Sequence, residues 1–205
     1  MFITRTRITL AAFAAGALLF AAACGDDSDS TSGMDHGTTS STAATATSAT
    51  RTDFDDADVT FLQMMYPHHA QAVDMAKMVP GHTQNPQLIA LAAEVEKAQA
   101  PEMEQISALL QSFGKPAPTA GSGHEGHRMP GMMSAEQMLA LEAASGAEFD
   151  RMWLEMMIEH HAGAIDMAKT ELAEGVNPDA QALARAVIAA QEAEIATMRT
   201  MLGQS

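Results

Sequence analysis

Two adjacent histidines, His68 and His69, stand in a segment that also holds Met64, Met65, Asp74 and Met75. The same set returns 92 residues later, without a gap, as His160, His161, Met156, Met157, Asp166 and Met167. Imidazole is a borderline metal ligand and thioether a soft one, so the pattern offers donors suited to copper or silver in duplicate. The likeness runs over 58–110 and 150–202, where 22 of 53 positions are identical. The shared set includes Asp58/Asp150, Lys77/Lys169, Asn85/Asn177, Pro86/Pro178, Gln99/Gln191 and Glu102/Glu194, which marks a duplicated structural unit rather than a short motif.

The elements that carry these residues are helical. Phe61, Leu62, Met65, Ala72, Val73 and Met75 recur with a period near 3.6, and 55–79 contains no glycine, which predicts one helix ended by Pro80 and Gly81. Asn85 then Pro86 is a helix start: an Asn oxygen accepts from a free amide, and proline suits a first turn where its missing N–H would be unpaired anyway. The second helix is expected to run to about Phe113, with Leu88, Leu91, Val95, Ile106 and Leu109 in its apolar stripe and Gly114 and Pro116 closing it. Ser134 with Gln137 reads as a capping box opening a short helix to Ala144, interrupted near Ser145 and Gly146. The second copy repeats the plan, with a helix from about Ala147 to Glu174, Gly175 as the stop, Asn177 and Pro178 as the next start, and a last helix to Leu202. Two similar helical hairpins imply an all-α, ferritin-like four-helix bundle with a pseudo-two-fold axis between repeats 54–113 and 146–205.

At about 100° per residue, Met64, His68 and Met75 share one stripe, while Asp58, Met65, His69 and Ala76 form the neighbouring one. Gln99 and Glu102 interrupt the apolar stripe of the next helix, where a carboxylate needs a compensating partner. Counted from the turn, His68/His69 and Gln99/Glu102 fall within about one turn of a common level, and the second copy matches this. The candidate ligands are therefore His68, His69, His160 and His161, with Met64, Met65, Met75, Met156, Met157, Met167, Glu102, Glu194, Asp58 and Asp150 beside them. A buried polar network without metal is the competing reading of the same residues, and Met152, Met198 and Met201 read as plain packing. Pro67, where the second copy has Glu159, frees the Gln63 carbonyl and makes the half-sites unequal. The Gly-, Pro-, His- and Met-rich connector 114–133 adds His124, His127, Met129, Met132 and Met133, and residues before the bundle add Met34 and His36. Such mixtures suit Cu(I) or Ag(I), because thioethers survive where thiols would be oxidised; incidental composition of a connector is the alternative.

The ends of the chain bear on compartment. Arg5 and Arg7, an apolar run over 8–19 and Ala21, Ala22 and Ala23 have the order of a secretory signal, 1–23. Small residues before the single cysteine resemble a bacterial lipobox, which implies cleavage before Cys24, lipidation of that cysteine and anchoring on the extracytoplasmic face of the cell membrane. Residues 24–52, rich in Ser, Thr, Ala, Gly and Asp, cannot bury enough apolar surface to order themselves and read as a tether. The chain carries 26 acidic against 11 basic residues, a net charge of −15, which argues against nucleic acid as a partner and concentrates cations. The folded remainder, 53–205, fits one domain.

Phe149, Asp150, Met152, Met156, Met157, Ile158, His160, His161, Ala164, Ile165, Met167 and Ala168, with Gln191, Glu194 and Met198, closely resemble the family called domain of unknown function 305. The resemblance implies a ferritin-like helical bundle, often exported, in a family that includes periplasmic copper-binding proteins; Tyr66 and Pro67 in the first copy depart from it. Three functions follow. The first is a lipid-anchored protein that binds and buffers copper, Cu(I) before Cu(II), or silver. The second is a ferritin-like oxidoreductase with a paired metal centre, iron included, built from the histidines with Glu102 and Glu194; the chain lacks the Glu-x-x-His pattern of di-iron bundles. The third is a structural or partner-binding bundle, and self-association is left open by all three.

Overall fold

The computed structural model describes residues 51–116 and 129–203. The leader 1–23, the tether up to residue 50 with Cys24, Met34 and His36, and connector residues 117–128 with His124 and His127 lie outside the described residues. The described residues form five helices: α1 (Asp56–His82), α2 (Pro86–Ser112), α3 (Ala135–Ala143), α4 (Gly146–Glu174) and α5 (Pro178–Met201).

Polar caps set the helix starts. Asn85 and Asn177 each accept from the two amides that open α2 and α5, with proline in the first turn, as their sequence predicts. Ser134 and Gln137 form the expected capping box on α3. Asp55 and Asp58 form another on α1, with aspartate in the place usually held by glutamate. Gly146, at φ +59°, makes the sharp entry to α4 in a left-handed conformation that costs glycine little.

One boundary differs from expectation. Pro80 and Gly81 do not end α1, which continues to His82. Proline removes one donor but leaves the rest of the turn free to be held by tertiary contacts. Here the His82 ring stacks on Phe149 with centroids 4.9 Å apart, and its nitrogens meet the Met78 and Glu142 carbonyls. Pro67 and Pro101 likewise lie inside unbroken helices. The folded part also starts earlier than residue 53, since Arg51 bonds to the Ser112 carbonyl through its backbone and to Asp53 and Asp179 through its guanidinium.

Helices α1–α2 and α4–α5 form two hairpins, and α1 lies antiparallel against α4, giving the four-helix bundle of two repeated hairpins. The register is fixed at both ends by repeat-related contacts. Asp58 Oδ1 accepts from the amides of Val176 and Asn177 at 3.2 and 2.9 Å, and Asp150 Oδ2 accepts from the Asn85 side chain at 2.9 Å. Each copy's aspartate thus braces the other copy's Asn-Pro turn. A buried carboxylate needs such donors, and a slip of one helix along the other would strip them away.

The apolar core falls into two clusters. One contains Leu62, Met65, Ile106, Leu110, Met167 and Val187; the other contains Met75, Leu88, Val95, Trp153, Met157 and Met198. Along α2, Val95 belongs to one cluster and Ile106 to the other, with Gln99 and Glu102 between; along α5, Gln191 and Glu194 stand between Val187 and Ile195. The histidine pairs occupy the same interval on α1 and α4. A polar layer contributed by all four long helices therefore cuts the core in two.

Candidate metal centre

His68, His69, His160 and His161 are each 0 % exposed. The His68 and His160 rings touch across the α1–α4 contact, centroids 3.8 Å apart and planes tilted by 41°, and His161 lies 6.3 Å from His160. Outside them, His69 Nε2 meets Glu102 Oε2 at 2.7 Å and His161 Nε2 meets Glu194 Oε2 at 2.6 Å, both glutamates reaching in from the partly exposed faces of α2 and α5. The common level expected from the helix count is realised, and it pairs the second histidine of each copy with that copy's own glutamate.

These contacts fix which ring nitrogens are free. A carboxylate or carbonyl only accepts, so the nitrogen facing it carries the proton. Glu102 and Glu194 hold Nε2–H of His69 and His161, and the Pro130 carbonyl holds Nε2–H of His68 at 3.0 Å. In the neutral ring the lone pair then lies on Nδ1, and Nδ1 of His68, His69 and His161 is buried with no hydrogen-bond partner among the described residues. Both ring nitrogens of His160 are also without partners. Burial, with His69 next in weight, pushes His68 down to about 3; burial, then His68, His161 and His69, holds His160 well below the usual imidazole range. Both rings are neutral at physiological pH, the form that binds metal. An orphaned buried acceptor costs about 1–3 kcal/mol, so this layer carries an expense that packing alone does not explain. Among the described residues, no three His, Cys, Asp or Glu side chains stand around one point to hold an ion.

The surprise is the connector. Its end, residues 129–134, crosses α1 and α4 over the histidines as a strap. The Pro130 carbonyl reaches His68, and the Gln71 amide clamps the Met133 backbone by two bonds of 2.8 and 3.0 Å. A Cβ on Gly163 would lie 2.1 Å from the Pro130 oxygen, and one on Gly131 would lie 2.6 Å from the Glu159 carbonyl, so both glycines are there to admit close backbone approach. Gln71 and Gly163 occupy equivalent positions in the two repeats. The difference between them was the sequence signal for the strap: a glycine inside a long helix costs about 1 kcal/mol against alanine and needs a packing reason.

The remaining candidates divide. Met65, Met75 and Met157 are fully buried and Met156 nearly so, in the clusters on either side of the layer. Met64 and Met167 line a cleft between α1 and α4. Met129 begins the strap. Asp58 and Asp150 do not join the histidines: ten residues away along each helix, about 15 Å, they serve as the turn braces described above. Asp58 has a neighbour that sequence reasoning missed, Glu171, 1 % exposed, with both carboxylate oxygens lacking donors. Burial and then Asp58 push Glu171 up to about 8, while for Asp58 the opposing effect of burial is outweighed by the Asp55, Asn177 and Val176 amides and by Glu171, which hold it low. The pair shares one proton at neutral pH.

Fold and interior together define a ferritin-like four-helix bundle with a histidine layer at its centre. The chain belongs to the DUF305 family (domain of unknown function), whose model matches residues 58–202. It is similar to a family member from Streptomyces coelicolor, described as secreted, at 29 % identity and TM-score 0.66, covering 72 % of this chain and 93 % of that one. A family fragment from Deinococcus radiodurans is similar at 32 % identity and TM-score 0.66, covering 74 % and 98 %. CopM in its Cu(II)-bound form is similar at 33 % identity and TM-score 0.62, covering 70 % and 94 %, and CopM is also solved in Cu(I)-bound and Ag-bound forms. No curated protein matches the chain. Among the described residues, no helix is long and apolar enough to cross a membrane.

Proposed function

We propose that this protein binds and buffers copper or silver outside the cytoplasm, held to the membrane by a lipid on Cys24, with the monovalent ion taken into the histidine layer. The observation that carries the reading is the set of buried, unpartnered Nδ1 atoms on His68, His69 and His161, each on a ring whose Nε2–H is committed to an oxygen. Orientation of a ligating imidazole by a carboxylate or carbonyl on its far nitrogen is the usual support of a protein metal site. Glu102 and Glu194 are then orienting groups rather than ligands. Two-coordinate imidazole and thioether donors favour Cu(I) and Ag(I), and Met65 and Met157, each three residues before a first histidine and four before a second, are the nearest thioethers in sequence register. The copper- and silver-bound forms of CopM support the same choice of ion. The connector residues His124, His127 and Met129 would supply further donors of the same class, and export follows from the leader and the secreted character of the Streptomyces relative.

The test is a Cu(I) titration against a chelator of known affinity, comparing the full mature protein with a variant in which His68, His69, His160 and His161 are all glutamine. Tight binding disappears in the variant on this reading. Unchanged stoichiometry with retained helical content contradicts it.

A further inference from the structure

The repeats place equivalent thioether pairs on opposite sides of the histidine layer, each pair with one residue from α1 and one from α4: Met75 with Met156, and Met64 with Met167. The first pair is sealed in the core with Trp153, Leu141 and Met133. The second borders a cleft of about 470 Å3 in which Phe61 stands where the other side has Trp153. Among the described residues, only Pro130 reaches the cleft from outside α1 and α4, and it is Pro130 whose carbonyl holds His68.

The lining of this cleft is one-sided in charge. Asp56, Asp166 and Glu174 contribute carboxylates, and among the described residues no lysine or arginine lines it. Its wall includes Glu171, which is 1 % exposed and shares its proton with Asp58, so the charged acids lie at the rim and the interior wall is apolar or neutral. A cleft walled by one sign of charge raises the local concentration of the opposite ion. Two thioethers lining the same cleft add selectivity for a soft ion over the hard cations that carboxylates alone would collect.

We propose that this cleft is a loading port: an outer site that takes Cu(I) or Ag(I) on the thioethers of Met64 and Met167 and passes it beneath Pro130 to the histidines. Ligand exchange moves the ion without oxidation or reduction. The destination, but not the outer site, rests on the reading of the histidine layer given above.

Two measurements on the full mature chain test it. In protein carrying 13C-methyl methionine, silver nitrate shifts the Met64 and Met167 methyl signals in the wild type and also in the four-histidine glutamine variant. Shifts in the variant support the port whatever becomes of the histidine reading; unmoved Met64 and Met167 methyls in a wild type that binds silver tightly overturn the port and leave that reading intact. In the second measurement, Met64→Leu with Met167→Leu keeps the native histidines and nearly the native volume, so it remains decisive if the four-histidine variant does not fold. Its final silver stoichiometry in the histidine layer is the wild type's, while silver transfer from a competing chelator is slower than in the wild type, because the soft ligands of the outer site are gone and only its charge remains. A transfer rate equal to the wild type's overturns the port.

Discussion

The two sides of the histidine layer are built from the same repeated sequence and end differently. Toward the α2 and α4 starts, Met75 and Met156 are closed over by Trp153 of α4, Met133 of the strap and Leu141 of α3. Toward the α1 start, Met64 and Met167 are left at an acidic cleft. Duplication thus supplies symmetric thioethers, and the non-repeated segment between the copies removes the symmetry of their burial. Within the layer the same contrast recurs on a smaller scale: His69 and His161 have matching glutamates, whereas His68 has a strap carbonyl and His160 has no partner.

The largest expected effect breaks the closed side. Trp153 is 0 % exposed and donates its indole N–H to the Met75 carbonyl at 2.9 Å, so Trp153→Ala leaves a large cavity and removes a buried hydrogen bond between α4 and α1. Urea unfolding should register a loss of about 3–5 kcal/mol, and Phe61→Ala, whose site borders a cleft that can collapse, should lose less.

Next in size is a comparison of the half-sites. Glu102→Gln and Glu194→Gln should each weaken Cu(I) affinity by about 10–100-fold and by similar factors, because each glutamate orients its own histidine in the same way. A large inequality between them in chelator competition would mean that only one half carries metal.

The strap gives a smaller, graded effect. Gly163→Ala forces the Pro130 carbonyl away and should cost about 1–3 kcal/mol, as overpacking does. Gly81→Ala, with nothing within 4 Å of the added carbon, should be neutral or stabilise by about 0.5 kcal/mol in the same assay.

The smallest effect is in pH dependence. Glu171 keeps its proton in the folded state up to about 8, while the unfolded chain releases it near 4.5, so the folded state binds more protons across that window and stability falls as pH rises through it. His68, at about 3 when folded and 6.5 when unfolded, acts on the acid side: stability is lost as pH falls from 6.5. Between pH 6.5 and 8 only the Glu171 contribution remains of these two, and Glu171→Gln, a mimic of the protonated acid, should flatten the decline in Tm seen in metal-free wild type there. A slope unchanged by the substitution would remove Glu171 as its source.

Much of this architecture was legible in the residues. The ungapped repeat gave the two hairpins, Asn85-Pro86 and Asn177-Pro178 gave the helix starts, and counting residues from the turns placed the histidines level with Glu102 and Glu194. What escaped depended on contacts between segments distant in sequence. Pro80 and Gly81 read as a stop because local propensity cannot register the stacking of His82 on Phe149. Asp58 and Asp150 read as ligand candidates because they share a helical stripe with His69 and His161, yet a common stripe does not bring residues eleven positions apart to one level, and each instead braces the opposite turn. The strap was hidden because a connector has no periodicity to read, and only Gly163 opposite Gln71 marked where it would lie.

The most direct test of the histidine layer is 15N NMR of the imidazoles during addition of silver to the full mature protein. Nδ1 of His68, His69 and His161 should take the ion, seen as a large shift and coupling to silver, while Nε2 of each ring keeps its proton to Pro130, Glu102 or Glu194. Silver bound through Nε2 of these rings, or tight binding that leaves all four imidazoles unchanged, would contradict that expectation.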